Sequence, residues 1–199
     1  MEYWLATSPW PGVVLWIILY ISDYNLTIYS ARGFREIGRF RFEGSYELTP
    51  QYQKDIDALK PVSRLHIALL IVYSLMILGL WWLFTILPYV GGLYTMYLGM
   101  FLLLEVAVHF RHLRNLFLVQ EIRKNGGVEG EITYPRWFSY KLSAFEIYLF
   151  AGLYLLVAIL TFSPFFLGGA IICVGTGFKH SRMSKKTKLA ITQIDDSKP

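Results

Sequence analysis

Three residues that can hold a proton or a metal ion follow one another at helical spacing in a long apolar segment. Glu105, His109 and His112 lie at positions i, i+4 and i+7 within the stretch FLLLEVAVHFRHLRN. This spacing places the three side chains along one face of a helix. Carboxylate and imidazole groups bind transition metals and relay protons, and inside a membrane segment they mark functional sites. We therefore expect this helix to contribute to a polar site.

Other apolar segments carry polar stripes of the same kind. Two of them repeat the i, i+4, i+7 spacing, and each includes one acid: Asp23, Thr27, Ser30 and Ser139, Ser143, Glu146. A further segment adds His66, two residues after Arg64. At a rise of about 1.5 Å per residue, the acids lie roughly 8 to 13 Å inward from basic residues near the segment ends. Because an ionisable group that faces lipid costs several kcal/mol, we expect the stripes to face one another around a polar pocket.

The composition is that of an integral membrane protein. Of the 199 residues, 55% are hydrophobic and 17% are charged, whereas soluble domains average about a quarter charged. A transmembrane helix needs about 20 predominantly apolar residues. Five segments reach or approach this length: 11–31, 63–87, 93–115, 139–162 and 164–179. The sequence therefore predicts an all-α bundle of five transmembrane helices.

The basic residues predict how this bundle is oriented. All 19 Lys and Arg residues fall in three segments, 32–64, 111–141 and 179–199. Five spans place these segments on one side, which the positive-inside rule makes cytoplasmic. We therefore expect the N-terminus outside and the C-terminus inside. The predicted organisation is a single transmembrane domain, two cytoplasmic loops and a cytoplasmic polar tail: 1–180, 32–62, 116–138 and 181–199.

The segments between the spans have signals of their own. GRFRFEGSY at 38–46 predicts a short strand or an interfacial stretch, and EITYPRW at 131–137 predicts a small strand. TPQYQKDIDALKP predicts a helix that is capped by Thr49 and ended by Pro61. We expect the third span to continue through Lys124 until NGG ends it, and a proline turn at 88–92 to precede it. The tail has the polar composition of a disordered segment.

Charge and cysteine content exclude several classes of partner and site. The net charge is +5, but the basic residues flank the spans, so they predict contact with anionic headgroups and no nucleic acid. Arg111 and Arg114 are interpreted in this way. Cys173 is the single cysteine of the chain, which excludes an intrachain disulfide and a cysteine metal cluster. Gly169, Cys173 and Gly177 form a stripe of small residues that favours close helix packing.

The end of the first span and the loop after it resemble a pattern in other proteins. SDYNLTIYSAR followed by YELTP resembles small prokaryotic multi-span membrane proteins of uncharacterised activity, which have Asp-x3-Thr and then Glu-x-Asn-Pro. Asp23, Thr27, Glu47 and Pro50 match, and Thr49 stands where the pattern has Asn. The resemblance covers about 30 residues. It implies a prokaryotic plasma-membrane protein with several spans, and it implies no activity.

The leading functional expectation is ion- or proton-linked transport or conduction through a polar pocket in the cytoplasmic half of the bilayer. Four residues are expected to line the pathway: Asp23, Glu105, His109 and Glu146. Intramembrane acids and histidines mark such relays, and histidine changes charge near neutral pH. A hydrogen-bonded seam that only fixes helix packing is the structural alternative.

Two further functions remain open at the same residues. The first is a metal- or haem-binding redox or hydrolytic enzyme. A divalent transition metal would be held by Glu105, His109, His112 and Asp23, with Glu146 as a further candidate ligand. A b-type haem would be held by His66 together with His109 or His112. The second is an accessory subunit of a larger membrane complex or a homo-oligomer. No sequence motif identifies catalytic residues.

Overall fold

A bundle of long helices with a small two-stranded sheet forms the structure, a computed structural model that describes residues 3–87 and 91–196. Its elements in chain order are α1 (Tyr3–Thr7), α2 (Trp10–Ile37), β1 (Phe40–Phe42), α3 (Gln53–Asp57), α4 (Arg64–Ile86), α5 (Gly91–Asn125), β2 (Ile132–Tyr134), α6 (Arg136–Thr161) and α7 (Pro164–Asp196). Four helices in the described ranges are long and apolar enough to span a membrane, namely α2, α4, α5 and α6. The chain is a helical membrane protein, and the predicted all-α class is confirmed.

The helices coincide with the predicted apolar segments. The first four segments lie in α2, α4, α5 and α6, and α5 continues to Asn125 as expected. Gly126 ends α5 with a left-handed φ of 74°. The predicted turn at Pro88 lies outside the described residues, while Gly91 and Gly92 begin α5. The segment 164–179 is helical within α7. Its glycines and the polar residues after Phe178 make α7 less apolar than the four helices that can span a membrane.

The polar tail departs from its prediction. The expectation of disorder is wrong for its described part, because α7 continues to Asp196. Ser184 donates a hydrogen bond to the carbonyl oxygen of Trp137 at 2.7 Å, and Lys188 Nζ lies 5.2 Å from the centre of the Trp137 ring. The start of α6 therefore supplies a surface on which the tail packs, and composition alone does not reveal such a surface.

The two loops that were predicted to be cytoplasmic meet each other. β1 and β2 pair in parallel, with Phe40 opposite Ile132. α3 is shorter than predicted because a turn, closed by the Tyr52 amide on the Thr49 carbonyl at 3.0 Å, precedes it. The predicted Thr49 cap is therefore wrong, and Tyr52 occupies the N-cap position. Ile56 is 1% exposed and packs α3 against the C-terminal half of α2.

Close backbone contacts set the helix neighbours around α5. A Cβ atom at Gly99 of α5 would overlap the carbonyl oxygen of Phe165 in α7, and one at Gly168 of α7 would overlap the carbonyl oxygen of Met96 in α5. Small residues permit this approach, which lets dispersion forces act between the two backbones. α2 packs on α5 as well, and α6 packs mainly on α7.

Candidate cation site

Two of the predicted polar stripes converge between α2 and α5. One ligand atom each from Asp23, Glu105 and His109 forms a group within 4.8 Å. The helices approach closely on both sides of this group. A Cβ atom added at Gly12 would meet Leu98, and one added at Gly33 would meet Val119. Glycine at these two positions therefore permits the close approach of α2 to α5. Three of the four predicted pathway residues therefore share one site.

The hydrogen bonds of His109 determine which ring nitrogen can bind a cation. Its Nδ1 lies 2.7 Å from the carbonyl oxygen of Glu105, one turn earlier on α5. A carbonyl oxygen only accepts, so Nδ1 carries a proton and the lone pair of the neutral ring lies on Nε2. Metal-binding histidines commonly have this arrangement, in which a carbonyl orients the ring through the other nitrogen. The neutral ring therefore offers Nε2 as its acceptor atom.

Ser22 contacts that same Nε2 atom. The Ser22 hydroxyl lies 2.6 Å from His109 Nε2 and 2.9 Å from the Leu19 carbonyl oxygen. One hydroxyl proton serves one of these contacts at a time. Either Ser22 donates to a neutral His109, or a protonated His109 donates to Ser22 while Ser22 donates to Leu19. His109 therefore has partners in both of its protonation states.

His112 lies beside the carboxylate of Asp23. Its Nε2 lies 3.3 Å from Asp23 Oδ1 and 3.1 Å from Thr27 Oγ1. Thr27 donates its own proton to the Asp23 carbonyl oxygen at 2.9 Å, so the proton between Thr27 and His112 belongs to Nε2. His112 is 3% exposed, and its Nδ1 has no hydrogen-bond partner in the described ranges. The ring therefore lies beside Asp23, donates from Nε2 to Thr27, and leaves Nδ1 without a partner among these residues.

A buried oxygen at the site lacks a donor. Glu105 Oε2 has no hydrogen-bond partner among residues 3–87 and 91–196. Leaving a buried polar atom without a partner costs about 1–3 kcal/mol, and more where the group is charged. A proton or a metal ion shared by Glu105 and Asp23 would remove this cost. The donor set of two carboxylates and one imidazole fits a divalent transition metal.

Glu146 lies apart from this group. It forms an ion pair with Arg114 in the C-terminal half of α5. Both residues line a cavity of about 240 Å³ that is bordered by α5, α6 and the loop after β1. His112 lines the same cavity and contacts Asp23, so it stands between Glu146 and the convergent group. The structure therefore divides the four predicted pathway residues between two neighbouring places.

The histidine of α4 belongs to an aromatic stack. The His66 ring is parallel to that of Tyr20 at 4.1 Å between centroids, and Tyr24 lies 4.6 Å away. Tyr20 in turn shares a hydrogen bond with Tyr52 at 2.7 Å. His66 Nε2 is buried without a hydrogen-bond partner in the described part of the chain. These contacts do not support a haem between α4 and α5, and that alternative stays a prediction.

Sequence reasoning missed the inward orientation of Arg111. Its Nη1 donates to Ser143 of α6 at 2.6 Å, and Ser143 Oγ lies 2.9 Å from His180 Nδ1. Arg111 and Arg114 both line the cavity, and their predicted contact with anionic headgroups stays a prediction. The i, i+4 spacing of Ser139 and Ser143 was the available signal, because it places a polar face on α6 opposite α5.

No protein family model, no curated protein and no solved structure matches this chain. The interpretation of the site therefore depends on its geometry. Two residues of the resemblance noted in the sequence have a positioning role in that geometry, because Asp23 and Thr27 both contact His112. Glu47 lies elsewhere and accepts a hydrogen bond from the Thr49 amide at 2.7 Å.

Proposed function

We propose that this chain is a membrane protein that binds a divalent transition-metal ion between α2 and α5, with Asp23, Glu105 and His109 as ligands. The observation that carries the proposal is the approach of their ligand atoms to within 4.8 Å of one another. Two carboxylates and an imidazole suit zinc, manganese and non-haem iron. His112 lies outside this ligand set with its Nε2 3.3 Å from Asp23 Oδ1, which is the position of a second partner of a metal ligand.

We also propose how the chain crosses the membrane. The chain crosses the membrane five times, with α7 as the fifth span and the N-terminus outside. The pairing of β1 with β2 supports this arrangement, because it requires both basic loops to lie at the same end of the bundle. Those loops then face the cytoplasm and its anionic headgroups in a prokaryotic plasma membrane.

Proton-linked transport is a second candidate, and the hydrogen bonds of His109 favour it specifically. The ring has partners both as neutral imidazole and as imidazolium. His112 connects the site to the cavity on the inner side of the bundle, which would supply a route for protons. Intramembrane carboxylates and histidines form such relays. A role as an accessory subunit or homo-oligomer remains a prediction from the sequence.

Metal titration of the purified protein tests the leading proposal. Protein in neutral detergent is stripped with chelator and titrated with Mn²⁺, Co²⁺ and Zn²⁺ by calorimetry. We expect about one ion per chain, and we expect Glu105→Gln and His109→Gln to weaken binding at least tenfold. Glu121→Gln is the matched control, because Glu121 is an acid of the same helix whose carboxylate contacts Asn125 instead.

Three outcomes distinguish metal binding, proton-linked transport and a role in helix packing. Equal metal affinity of Glu105→Gln and Glu121→Gln would contradict the proposed metal site. Absence of metal binding, together with pH-driven flux in liposomes that Glu105→Gln abolishes, would favour transport. Loss of the folded protein in Glu105→Gln, measured by size-exclusion chromatography and circular dichroism, would favour a role in helix packing alone.

A further inference from the structure

The cavity beside the cation site has a chemistry of its own. It lies where α5 leaves the predicted span 93–115, between α5, α6 and the loop after β1. Its volume of about 240 Å³ is several times the roughly 30 Å³ that a water molecule occupies in the liquid. The cavity is therefore large enough for a headgroup-sized ligand at the depth of the membrane surface.

Arg111 brings to this cavity a guanidinium that has no ion pair among residues 3–87 and 91–196, and the acidic residues of the lining are Glu47 and Glu146. Its side chain is half-buried and donates to the Ser143 hydroxyl. No carboxylate in the described ranges lies within ion-pair distance of it, whereas Arg114 is paired with Glu146. A guanidinium has five N–H donors in a fork that matches the oxygens of a phosphate. Arg111 therefore has donors left for an anion.

Tyr46 adds a further donor on the same wall. Asn115 donates to the Tyr46 hydroxyl at 2.8 Å, so that hydroxyl can direct its own proton elsewhere. Burial raises the pKa of Tyr46, which keeps this proton in place. Donors thus come from α5 and from the loop.

One side of the cavity is apolar and partly exposed. Leu118 of α5 and Leu142 of α6 line it, and the two residues are 38% and 37% exposed. An occupant can therefore place a charged group against Arg111 and leave an apolar part between the two helices. That combination of properties describes an amphiphile with an anionic head.

We propose that this cavity binds the phosphate group of an anionic phospholipid, with Arg111 and Tyr46 as its donors. A soluble phosphate ester offers the same head chemistry without the apolar part. Residues of the cation site take no part in this contact, so the proposal does not depend on metal binding.

Native mass spectrometry in neutral detergent tests the proposal on chelator-treated protein. Phosphatidylglycerol, phosphatidylcholine and inorganic phosphate are added separately. We expect one phosphatidylglycerol retained per chain, with Arg111→Gln and Tyr46→Phe each lowering its apparent affinity at least tenfold. Lys124→Gln removes the same charge from an exposed position of α5 outside the cavity, and it should bind like the unaltered chain.

The outcomes distinguish the possible occupants. Equal retention of phosphatidylglycerol by Arg111→Gln, Tyr46→Phe and Lys124→Gln would overturn the proposal, because binding would then be nonspecific. Binding of inorganic phosphate that depends on Arg111, without lipid retention, would overturn the lipid and identify a soluble phosphate as the source. Tyr46→Phe removes a single hydroxyl, so it keeps the test valid if Arg111→Gln does not fold.

Discussion

Replacing Gly168 by alanine should destabilise the protein through one helix contact. The added methyl group would overlap the Met96 carbonyl oxygen and lie 2.8 Å from its carbonyl carbon and 3.2 Å from the Met100 nitrogen. All three are backbone atoms, so no side-chain rotation relieves the overlap. Carbon atoms pack best at about 3.5–4.0 Å, so α5 and α7 must separate locally by roughly 1 Å. Overpacking of this kind costs about 1–3 kcal/mol.

A glycine elsewhere on the same helix supplies the control. Nothing lies within 4 Å of an added Cβ at Gly175. Gly175→Ala should therefore gain up to about 1 kcal/mol of helix propensity without a clash, and Gly168→Ala receives the same gain. The difference between the two variants isolates the overpacking cost of about 1–3 kcal/mol. At about 1.4 kcal/mol per factor of ten, the unfolding equilibria should differ by roughly fivefold to a hundredfold.

Unfolding by sodium dodecyl sulfate in mixed micelles, followed by tryptophan fluorescence, measures this difference. The reciprocal variant Gly99→Ala meets the backbone of Phe165, and it should behave like Gly168→Ala. Because either methyl group separates the same helices, the double variant should lose less than the sum of the single losses. Equal stability of Gly168→Ala and Gly175→Ala would refute the close approach of α5 to α7.

Two further predictions concern the parts around the bundle. Hydrogen bonds from Lys60 and Ser63 lower the pKa of Asp55, so its contribution to stability is full above the unfolded pKa and is lost as the pH falls through the lowered folded value. Lys60→Met should raise the Asp55 pKa toward its ordinary value in a carboxyl NMR titration, and an unchanged pKa would contradict this reasoning. Trp81→Phe removes the hydrogen bond from Nε1 to the Ala6 carbonyl at 3.0 Å and should cost about 1 kcal/mol in the same unfolding assay. Trp82→Phe, at a neighbouring side chain that is 64% exposed, should change stability little, and equal losses would contradict the role of that bond.

Local patterns in the sequence predicted the elements because those patterns act within one helix. The length of the apolar segments predicted the spanning helices, and the NGG sequence predicted the end of α5, which lies at Asn125. The i, i+4, i+7 spacing placed Glu105, His109 and His112 along one side of α5. Such spacing depends on the helical repeat alone, so it needs no knowledge of the neighbours.

Tertiary packing decided which stripes meet. The spacing gives the face of a helix but neither its rotation nor its neighbour, so Asp23 and Glu146 had equal standing in the sequence. The close contact of α2 with α5 brings Asp23 to Glu105, whereas Glu146 pairs with Arg114 beside the cavity.

Two further differences between the prediction and the structure also arise from tertiary contacts. Ser143 turns Arg111 inward, and Trp137 provides the surface on which the polar end of α7 packs. By itself, the sequence determined that this chain is a helical membrane protein, and it predicted that the acids and histidines of the spans lie at matching depth. Only the contacts between helices decided which of these groups form a site, because residues far apart in the chain supply them.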